Sequence, residues 1–157
     1  MELMREDVAD ILEEIALLLE LKGENVFKTR AYRNGAEVVR SHEDDILALA
    51  KSGELTGIKG IGKALEEKIT ELVQTGEMGY YDDLKAGFPE GLFDLFDLSG
   101  LGPKKIKALY DKLGVDSIPS LREVCESGKV AELSGFGAKT VEKIIEALEL
   151  QDKFASH

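Results

Sequence analysis

The sequence predicts an all-α fold. Helix-forming residues (Leu, Glu, Lys, Ala and Ile) dominate the 157 positions, and proline occurs only three times. Apolar residues recur every three or four positions in several segments, whereas no run alternates β-branched residues as a half-buried strand does. With 43% hydrophobic and 32% charged residues, the composition is that of an ordinary globular protein. We therefore expect amphipathic helices that pack through their apolar stripes.

Four amphipathic helices are predicted in the first 76 residues. Glycines follow three of them, and glycine adopts at little cost the left-handed backbone that ends many helices. Asn25 can cap the second helix with its side-chain oxygen. The predicted helices end near Lys22, run from about 26 to 40, begin at Ser41 or His42 and stop before Gly53, and run from about 63 to 75.

A domain boundary is predicted after the next, short helix, which covers about 78–86. Gly87, Pro89 and Gly91 interrupt the helical pattern there, because neither glycine nor proline favours a helix interior. The sequence thus predicts two domains, residues 1–87 and 88–157. In the second, Pro103 suits the first position of a helix, where its missing N–H would have no partner. Helices are expected at about 103–113, around 121–125 and at about 141–148.

One short sequence motif occurs three times in the chain, and we call its copies hairpin 1 (58–63), hairpin 2 (98–104) and hairpin 3 (133–139). Each reads apolar, polar or basic, Gly, apolar, Gly, with a lysine within two residues, and each precedes a helix. The glycines expose backbone N–H groups, and the positive end of the helix dipole points at the same place. An anion site is therefore predicted at each hairpin, unless the glycines only make tight turns. The site residues are Gly60, Gly62 and Lys63; Gly100, Gly102 and Lys104; and Gly135, Gly137 and Lys139.

This sequence motif resembles the hairpin of helix-hairpin-helix DNA-binding motifs. The whole chain resembles the amino-terminal region of bacterial family X DNA polymerases, relatives of DNA polymerase beta. The resemblance implies a four-helix lyase-like domain that contains hairpin 1, followed by a tandem helix-hairpin-helix domain. It implies binding to the DNA backbone without sequence preference, at gaps, nicks or 5′-phosphate ends during DNA repair. In the family a polymerase palm follows this region; this sequence ends before it, at a tail (154–157) where a longer chain could continue.

The resemblance also implies a 5′-deoxyribose-phosphate lyase, in which a lysine forms a Schiff base with the sugar aldehyde. Lys68 matches that lysine, although a lysine between glutamates is otherwise usually a solvated surface residue. Lys28 and Tyr32 match the family's 5′-phosphate pocket and lie one helical turn apart. Arg33 adds a positive charge beside them. The chain departs from the well-studied relatives at Phe27, Thr56 and Ala64, where those carry a histidine, a basic residue and a lysine.

No cofactor is expected to be required, but hairpin carbonyls in the resembled family hold a monovalent cation. The matching carbonyls, for Na⁺ or K⁺, are those of Thr56, Ile58 and Ile61 and of Phe96, Leu98 and Leu101. His42 is the only internal histidine and Cys125 the only cysteine. Histidine triads, cysteine-based metal sites and disulfides therefore lack their residues.

The net charge of −11 argues against a nucleic-acid binder. The charges are uneven, because residues 2–22 are strongly acidic while residues 27–40 carry four basic residues against one glutamate. This distribution predicts a basic face on an acidic body. The runner-up hypothesis is a helical protein-interaction module that has lost DNA contact, and the net acidity favours it.

The amino terminus is acidic and lacks the apolar segment of a signal peptide. No apolar stretch approaches the ~20 residues that span a bilayer. We therefore expect a cytoplasmic protein with no membrane partner. Its expected partners are the DNA backbone and a downstream polymerase region or other repair proteins.

Overall fold

The computed structural model describes residues 3–98 and 101–155, apart from the side chains of Pro103, Phe154 and Ala155. Within these ranges the chain forms nine α-helices and one short 3-10 helix, with no strand. The predicted all-α class is confirmed. The chain divides into a first unit, Met1–Gly87, and a second unit, Phe88–His157.

The described part of the first unit contains five helices, and each of them contributes buried residues to its core. They are α1 (Arg5–Lys22), α2 (Val26–Ser41), α3 (Ile46–Ser52), α4 (Lys63–Thr75) and α5 (Gly79–Ala86). α1 packs along α2, α3 packs on α4, and α5 packs on α1. The apolar stripe of α1 is buried almost completely, and it includes Val8, Leu12, Ile15, Leu18 and Leu19. The helical spacing of these residues explains why they share one face of α1 and are buried together.

A glycine in the middle of α2 leaves space for a side chain of α4. A Cβ added to Gly35 would stand 2.3 Å from Cδ2 of Leu65, in α4. Glycine in a helix interior normally costs roughly 0.5–1 kcal/mol relative to alanine. Here the missing side chain makes room for a buried leucine of the hairpin 1 helix.

The third helix begins later than the sequence predicts. α2 continues to Ser41, and α3 starts only at Ile46 because Asp45 is its N-cap, accepting a hydrogen bond from the Ala48 N–H at 3.1 Å. The residues between the helices form a connection that Arg5 holds from α1. Its guanidinium donates hydrogen bonds of 2.8 Å to the carbonyls of both His42 and Asp44. These carbonyls are thus satisfied by a side chain rather than by a helix.

The second unit contains four α-helices and the 3-10 helix. They are α6 (Leu92–Leu95), α7 (Pro103–Leu113), α8 (Ile118–Glu126), the 3-10 helix (Lys129–Glu132) and α9 (Ala138–Ala155). Pro103 occupies the first turn of α7 as predicted, and Ser117 caps α8 through the Ser120 N–H. The core of this unit includes Leu92, Leu95, Ile106, Leu109, Leu121, Val130 and Ile144. No helix in the described ranges has the length and apolar character that crossing a membrane requires.

Candidate nucleic-acid interface

The three hairpins close in the same way. In each, the N–H of the apolar residue between the glycines donates to the carbonyl of the apolar residue three positions earlier. The pairs are Ile61 to Ile58 at 3.1 Å, Leu101 to Leu98 at 3.4 Å and Phe136 to Leu133 at 3.2 Å. The side chains of Ile61, Leu101 and Phe136 are buried, with 5%, 8% and 4% of their surface exposed. The repeated sequence motif therefore folds as a repeated turn, and one buried apolar side chain anchors each copy.

The second glycine of each hairpin begins the following helix and is uncovered. Its carbonyl accepts the first helical hydrogen bond, at 2.9 Å for Gly62, 3.0 Å for Gly102 and 3.1 Å for Gly137. A Cβ added to any of the three would meet no atom within 4 Å. The early N–H groups of these helices lack partners within the helix, and the helix dipole is positive there. Each of the three positions can therefore accept a close-approaching anion.

The first glycine differs between the hairpins. Gly60 has a φ of +94° and Gly135 a φ of +86°, a backbone conformation that residues other than glycine rarely adopt. A Cβ added to Gly60 would stand 2.6 Å from Cγ2 of Val38, in α2, whereas one added to Gly135 would meet nothing. Gly100, the corresponding residue of hairpin 2, lies outside the described residues. Gly60 thus serves the packing of the first unit as well as the turn.

The hairpin lysines are exposed. In residues 3–98 and 101–155, no ion pair joins Lys63, Lys104 or Lys139 to a carboxylate. Lys63 lies in a surface groove of about 490 Å³ on α4 that Glu67 and Glu71 also line. Two glutamates therefore share a groove with the lysine of hairpin 1, whereas Lys104 of hairpin 2 is followed in the sequence by a second lysine.

Three of the predicted lyase residues meet around a tyrosine that the sequence reasoning did not select. Tyr80, in the first turn of α5, stacks on Tyr32 with parallel rings and 5.9 Å between their centroids. The Lys68 ammonium lies 4.8 Å from the Tyr80 centroid, and the Lys28 ammonium lies 5.6 Å from it. We call Lys28, Tyr32, Lys68 and Tyr80 the lysine–tyrosine cluster. The sequence feature that could have pointed to Tyr80 is the adjacent pair Tyr80–Tyr81, in a chain with only four tyrosines.

The cluster combines positive charge with a neutral hydroxyl. Burial raises the pKa of the Tyr32 phenol well above its usual range, and the neighbouring Tyr80 phenol raises it further. Tyr32 therefore keeps its proton and remains a hydrogen-bond donor in neutral solution. Lys28 is exposed and Lys68 half-buried. Two ammonium groups beside a phenol can bind a phosphate, and an ammonium that loses its proton becomes a nucleophilic amine.

Arg33 lies outside the cluster. Its guanidinium forms an ion pair with Glu20, at 2.8 Å. Arg40, also in α2, contacts three carboxylates of α1, from Glu6 (3.1 Å), Asp10 (2.7 Å) and Glu13 (2.5 Å). Acidic residues of α1 therefore neutralise part of the basic charge of α2, including that of Arg33, which was predicted to bind DNA.

Two of the carbonyls predicted to hold a monovalent cation already accept a hydrogen bond within a hairpin turn. Those of Ile58 and Leu98 accept the turn-closing N–H groups, and each keeps a second lone pair. The cation site at Thr56, Ile58 and Ile61 and its counterpart at Phe96, Leu98 and Leu101 remain predictions. Among the described side chains, no group of three histidine, cysteine or acidic residues is arranged to hold a metal ion.

Comparison with known proteins finds a matching family model for each of the two units. The family model described as "Helix-hairpin-helix domain" matches residues 4–78, and "SAM-like Helix-hairpin-helix tandem" matches residues 93–150. The chain is 42% identical over 144 residues to the DNA polymerase/3′-5′ exonuclease PolX of Bacillus subtilis (strain 168), covering 92% of this chain and 25% of that protein. It is also 36% identical over 61 residues to the Holliday junction branch migration complex subunit RuvA of Methylobacillus flagellatus, covering 39% of this chain and 30% of that protein.

The chain thus spans about a quarter of the length of the polymerase that it matches. The matched region of that polymerase is its amino-terminal part, so the resemblance predicted from the sequence is confirmed. Helix-hairpin-helix family models thus match both units of the chain, and over nearly its whole length the chain is similar to the amino-terminal region of a family X DNA polymerase.

Proposed function

We propose that this chain binds the DNA backbone without sequence preference and that its first unit binds 5′-phosphate ends at gaps or nicks in DNA under repair. The observation that carries the proposal is the repeated uncovered glycine at the start of α4, α7 and α9. Bare N–H groups at a helix start suit a phosphate oxygen and carry no information about base sequence. The similarity to a DNA polymerase supports the same conclusion.

The acidity of the chain limits how DNA can approach. Because the protein has a net charge of −11, most of its surface repels DNA. The hairpins, where the lysines are exposed, attract it. If about 4–6 phosphates are contacted, log affinity should fall against log salt with a slope of about −4 to −5. The lysine–tyrosine cluster adds a second anion site in the first unit, suited to the doubly charged phosphate of a 5′ end.

Fluorescence anisotropy tests this proposal with three fluorescent duplexes. One carries a one-nucleotide gap with a 5′-phosphate, one the same gap with a 5′-hydroxyl, and one is intact. We expect affinity in the order phosphate gap, hydroxyl gap, intact duplex, with a steep salt dependence for all three. A flat salt response would contradict backbone binding, and equal affinity for the two gapped duplexes would contradict 5′-phosphate recognition.

A second function, 5′-deoxyribose-phosphate lyase activity, is supported by the position of Lys68 beside Lys28 and the tyrosine ring. In this reaction the neutral amine of Lys68 attacks C1′ of the sugar aldehyde, and loss of water gives a Schiff base. Removal of a proton from C2′ then breaks the bond between C3′ and its oxygen, which leaves a 5′-phosphate on the DNA. Water hydrolyses the remaining Schiff base and restores the lysine.

Borohydride trapping on a 5′-deoxyribose-phosphate end tests the lyase proposal, because reduction of the Schiff base fixes a covalent adduct. We expect an adduct with the parent protein and none with Lys68→Ala. Lys51→Ala is the matched control, since Lys51 is an exposed lysine of α3 that belongs neither to a hairpin nor to the cluster, and this variant should retain the adduct. An adduct that survives in Lys68→Ala, or its absence in the parent, would remove Lys68 from this role.

The alternative, a protein-interaction module without DNA contact, is favoured by the ion pairs that α1 carboxylates form with Arg33 and Arg40. The variant Gly62→Val/Gly102→Val separates the two functions, because both sites have space for a side chain but would no longer admit a phosphate. Loss of DNA binding with an unchanged circular dichroism spectrum supports the DNA function. A parent that fails to bind DNA even at low salt supports the alternative.

A further inference from the structure

We infer that Tyr80 is a positioning residue, whose ring holds the ammonium groups of Lys28 and Lys68 together so that both face one 5′-phosphate end. The inference rests on the proposed function of the first unit. It concerns a residue in α5, outside the hairpins and outside the region 4–78 that the first helix-hairpin-helix family model matches.

The two lysines need such a residue because they come from different helices and carry the same charge. Lys28 belongs to α2 and Lys68 to α4, and each side chain loses rotamer entropy when it is fixed. Their ammonium groups also repel each other. The face of an aromatic ring is electron-rich and attracts a cation at these distances. A single ring, 4.8 Å from the Lys68 ammonium and 5.6 Å from that of Lys28, therefore offsets part of this cost and keeps both groups beside it.

The ring of Tyr80 is fixed independently of the lysines, as a positioning role requires. Its neighbour Tyr81 donates a hydrogen bond to the carboxylate of Glu14, in α1. The Gly79 N–H donates to Oε2 of Glu71, in α4, at 3.0 Å. Met78, just before α5, is fully buried. These contacts attach the first turn of α5 to two other helices, so the ring does not depend on cation binding for its place.

Tyr32 links the ring to the predicted phosphate pocket. The parallel stacking of Tyr32 and Tyr80 backs the Tyr80 ring with a buried side chain of α2. Tyr32 lies one turn after Lys28 in that helix. The stacked pair therefore orients Lys28 relative to the Tyr32 hydroxyl as well as relative to Lys68.

Two substitutions separate the ring from the hydroxyl. Tyr80→Leu removes the aromatic face, and we expect the affinity advantage of the 5′-phosphate gap over the 5′-hydroxyl gap to fall about fivefold, as loss of one to two cation–ring contacts implies. Tyr80→Phe keeps the face and should retain most of that advantage. Leu84→Ala is the matched control: it removes a buried side chain of α5 that takes no part in the cluster, and it should lower thermal stability while leaving the phosphate advantage unchanged.

An equal phosphate advantage in the parent and in Tyr80→Leu would overturn the inference. So would an equal loss in Tyr80→Phe and Tyr80→Leu, because the aromatic face would then not be the feature that matters. A fall in Leu84→Ala as large as in Tyr80→Leu would also overturn it, since a general loosening of α5 would explain both results.

A second measurement does not depend on DNA. Reductive ¹³C-dimethylation of the lysines keeps their charge and gives each an NMR signal that a nearby aromatic ring displaces. We expect displaced signals for Lys28 and Lys68 in the parent and in Tyr80→Phe, and ordinary lysine positions in Tyr80→Leu. Ordinary positions in the parent would overturn the inference. Displaced signals together with equal affinity for the two gapped duplexes would retain the positioning role and reject 5′-phosphate recognition instead.

Discussion

Hairpin 1 and hairpin 3 have the same turn but stand in different surroundings. Both place a glycine at positive φ before a buried apolar residue, and both uncover the next glycine at the start of a helix. Gly60 faces Val38 of α2 at a distance that admits no side chain, whereas Gly135 faces open space. Hairpin 1 is therefore packed against α2, the helix that also carries Lys28 and Tyr32, whereas Gly135 of hairpin 3 makes no such contact. The first glycine of the motif thus takes part in helix packing in the first unit but not in the second.

The largest expected difference concerns stability. Gly60→Ala should lower the free energy of unfolding of the first unit by about 2–4 kcal/mol, because the left-handed backbone costs about 1–2 kcal/mol and the contact with Val38 adds overpacking strain. Gly135→Ala carries only the backbone cost and should lower that of the second unit by about 1–2 kcal/mol. Hydrogen exchange of amides in α2 and in α9 measures each unit separately.

The double variant Gly60→Ala/Val38→Ala is the control for this difference. Removing the γ-methyl groups of Val38 should restore part of the loss, so that the two substitutions are non-additive. Equal losses in Gly60→Ala and Gly135→Ala, or strict additivity with Val38→Ala, would show that hairpin 1 does not depend on the contact with α2.

The turns themselves could be predicted from the sequence, because the interactions that form them are local, whereas the contact of Gly60 with Val38 could not. The glycine spacing, the apolar residue between the glycines and Pro103 all act within a few residues, and the resemblance selected Lys28, Tyr32 and Lys68 by position in the chain. Tyr80 was missed because its role appears only when α2, α4 and α5 come together. The start of α3 was misplaced for a similar reason: Arg5, 37 positions earlier in the chain, holds the carbonyl of His42.

The pairing of Arg33 also escaped prediction. The sequence shows a basic α2 and an acidic α1, but only the packed helices show that Glu20 reaches Arg33. Counting charges along the chain therefore overestimates the positive charge that α2 can offer to DNA. Hairpins 2 and 3 carry lysines without such partners in the part of the chain that the structure describes.

A smaller difference is expected when the second glycines are filled. Gly62→Val and Gly137→Val place side chains in open space, so each should cost about 1 kcal/mol of stability or less. Each side chain would nevertheless separate a phosphate from the N–H groups, and we expect a three- to tenfold loss of DNA affinity, about 0.7–1.4 kcal/mol. Gly62→Val should weaken the gapped duplex more than the intact one, since hairpin 1 shares its unit with the lysine–tyrosine cluster. Anisotropy with both duplexes measures this, and equal losses would contradict a special role of the first unit at gaps.

The smallest effect concerns Arg33. The pair with Glu20 is partly exposed, with 39% and 26% of the two side chains accessible, so its loss should cost well under 1 kcal/mol of stability. Glu20→Gln would free the guanidinium and raise affinity for the 5′-phosphate gap about twofold, if Arg33 binds DNA. Glu37→Gln is the matched control, because it removes the same charge one helical turn from Arg33 but breaks no ion pair seen in residues 3–98 and 101–155. An equal rise in both variants would show that DNA responds only to the total charge, and a rise confined to Glu20→Gln would place Arg33 at the phosphate. That outcome would also show that the acidic α1 restrains binding by the first unit, a restraint for which the hairpin lysines of the second unit show no counterpart among the described residues.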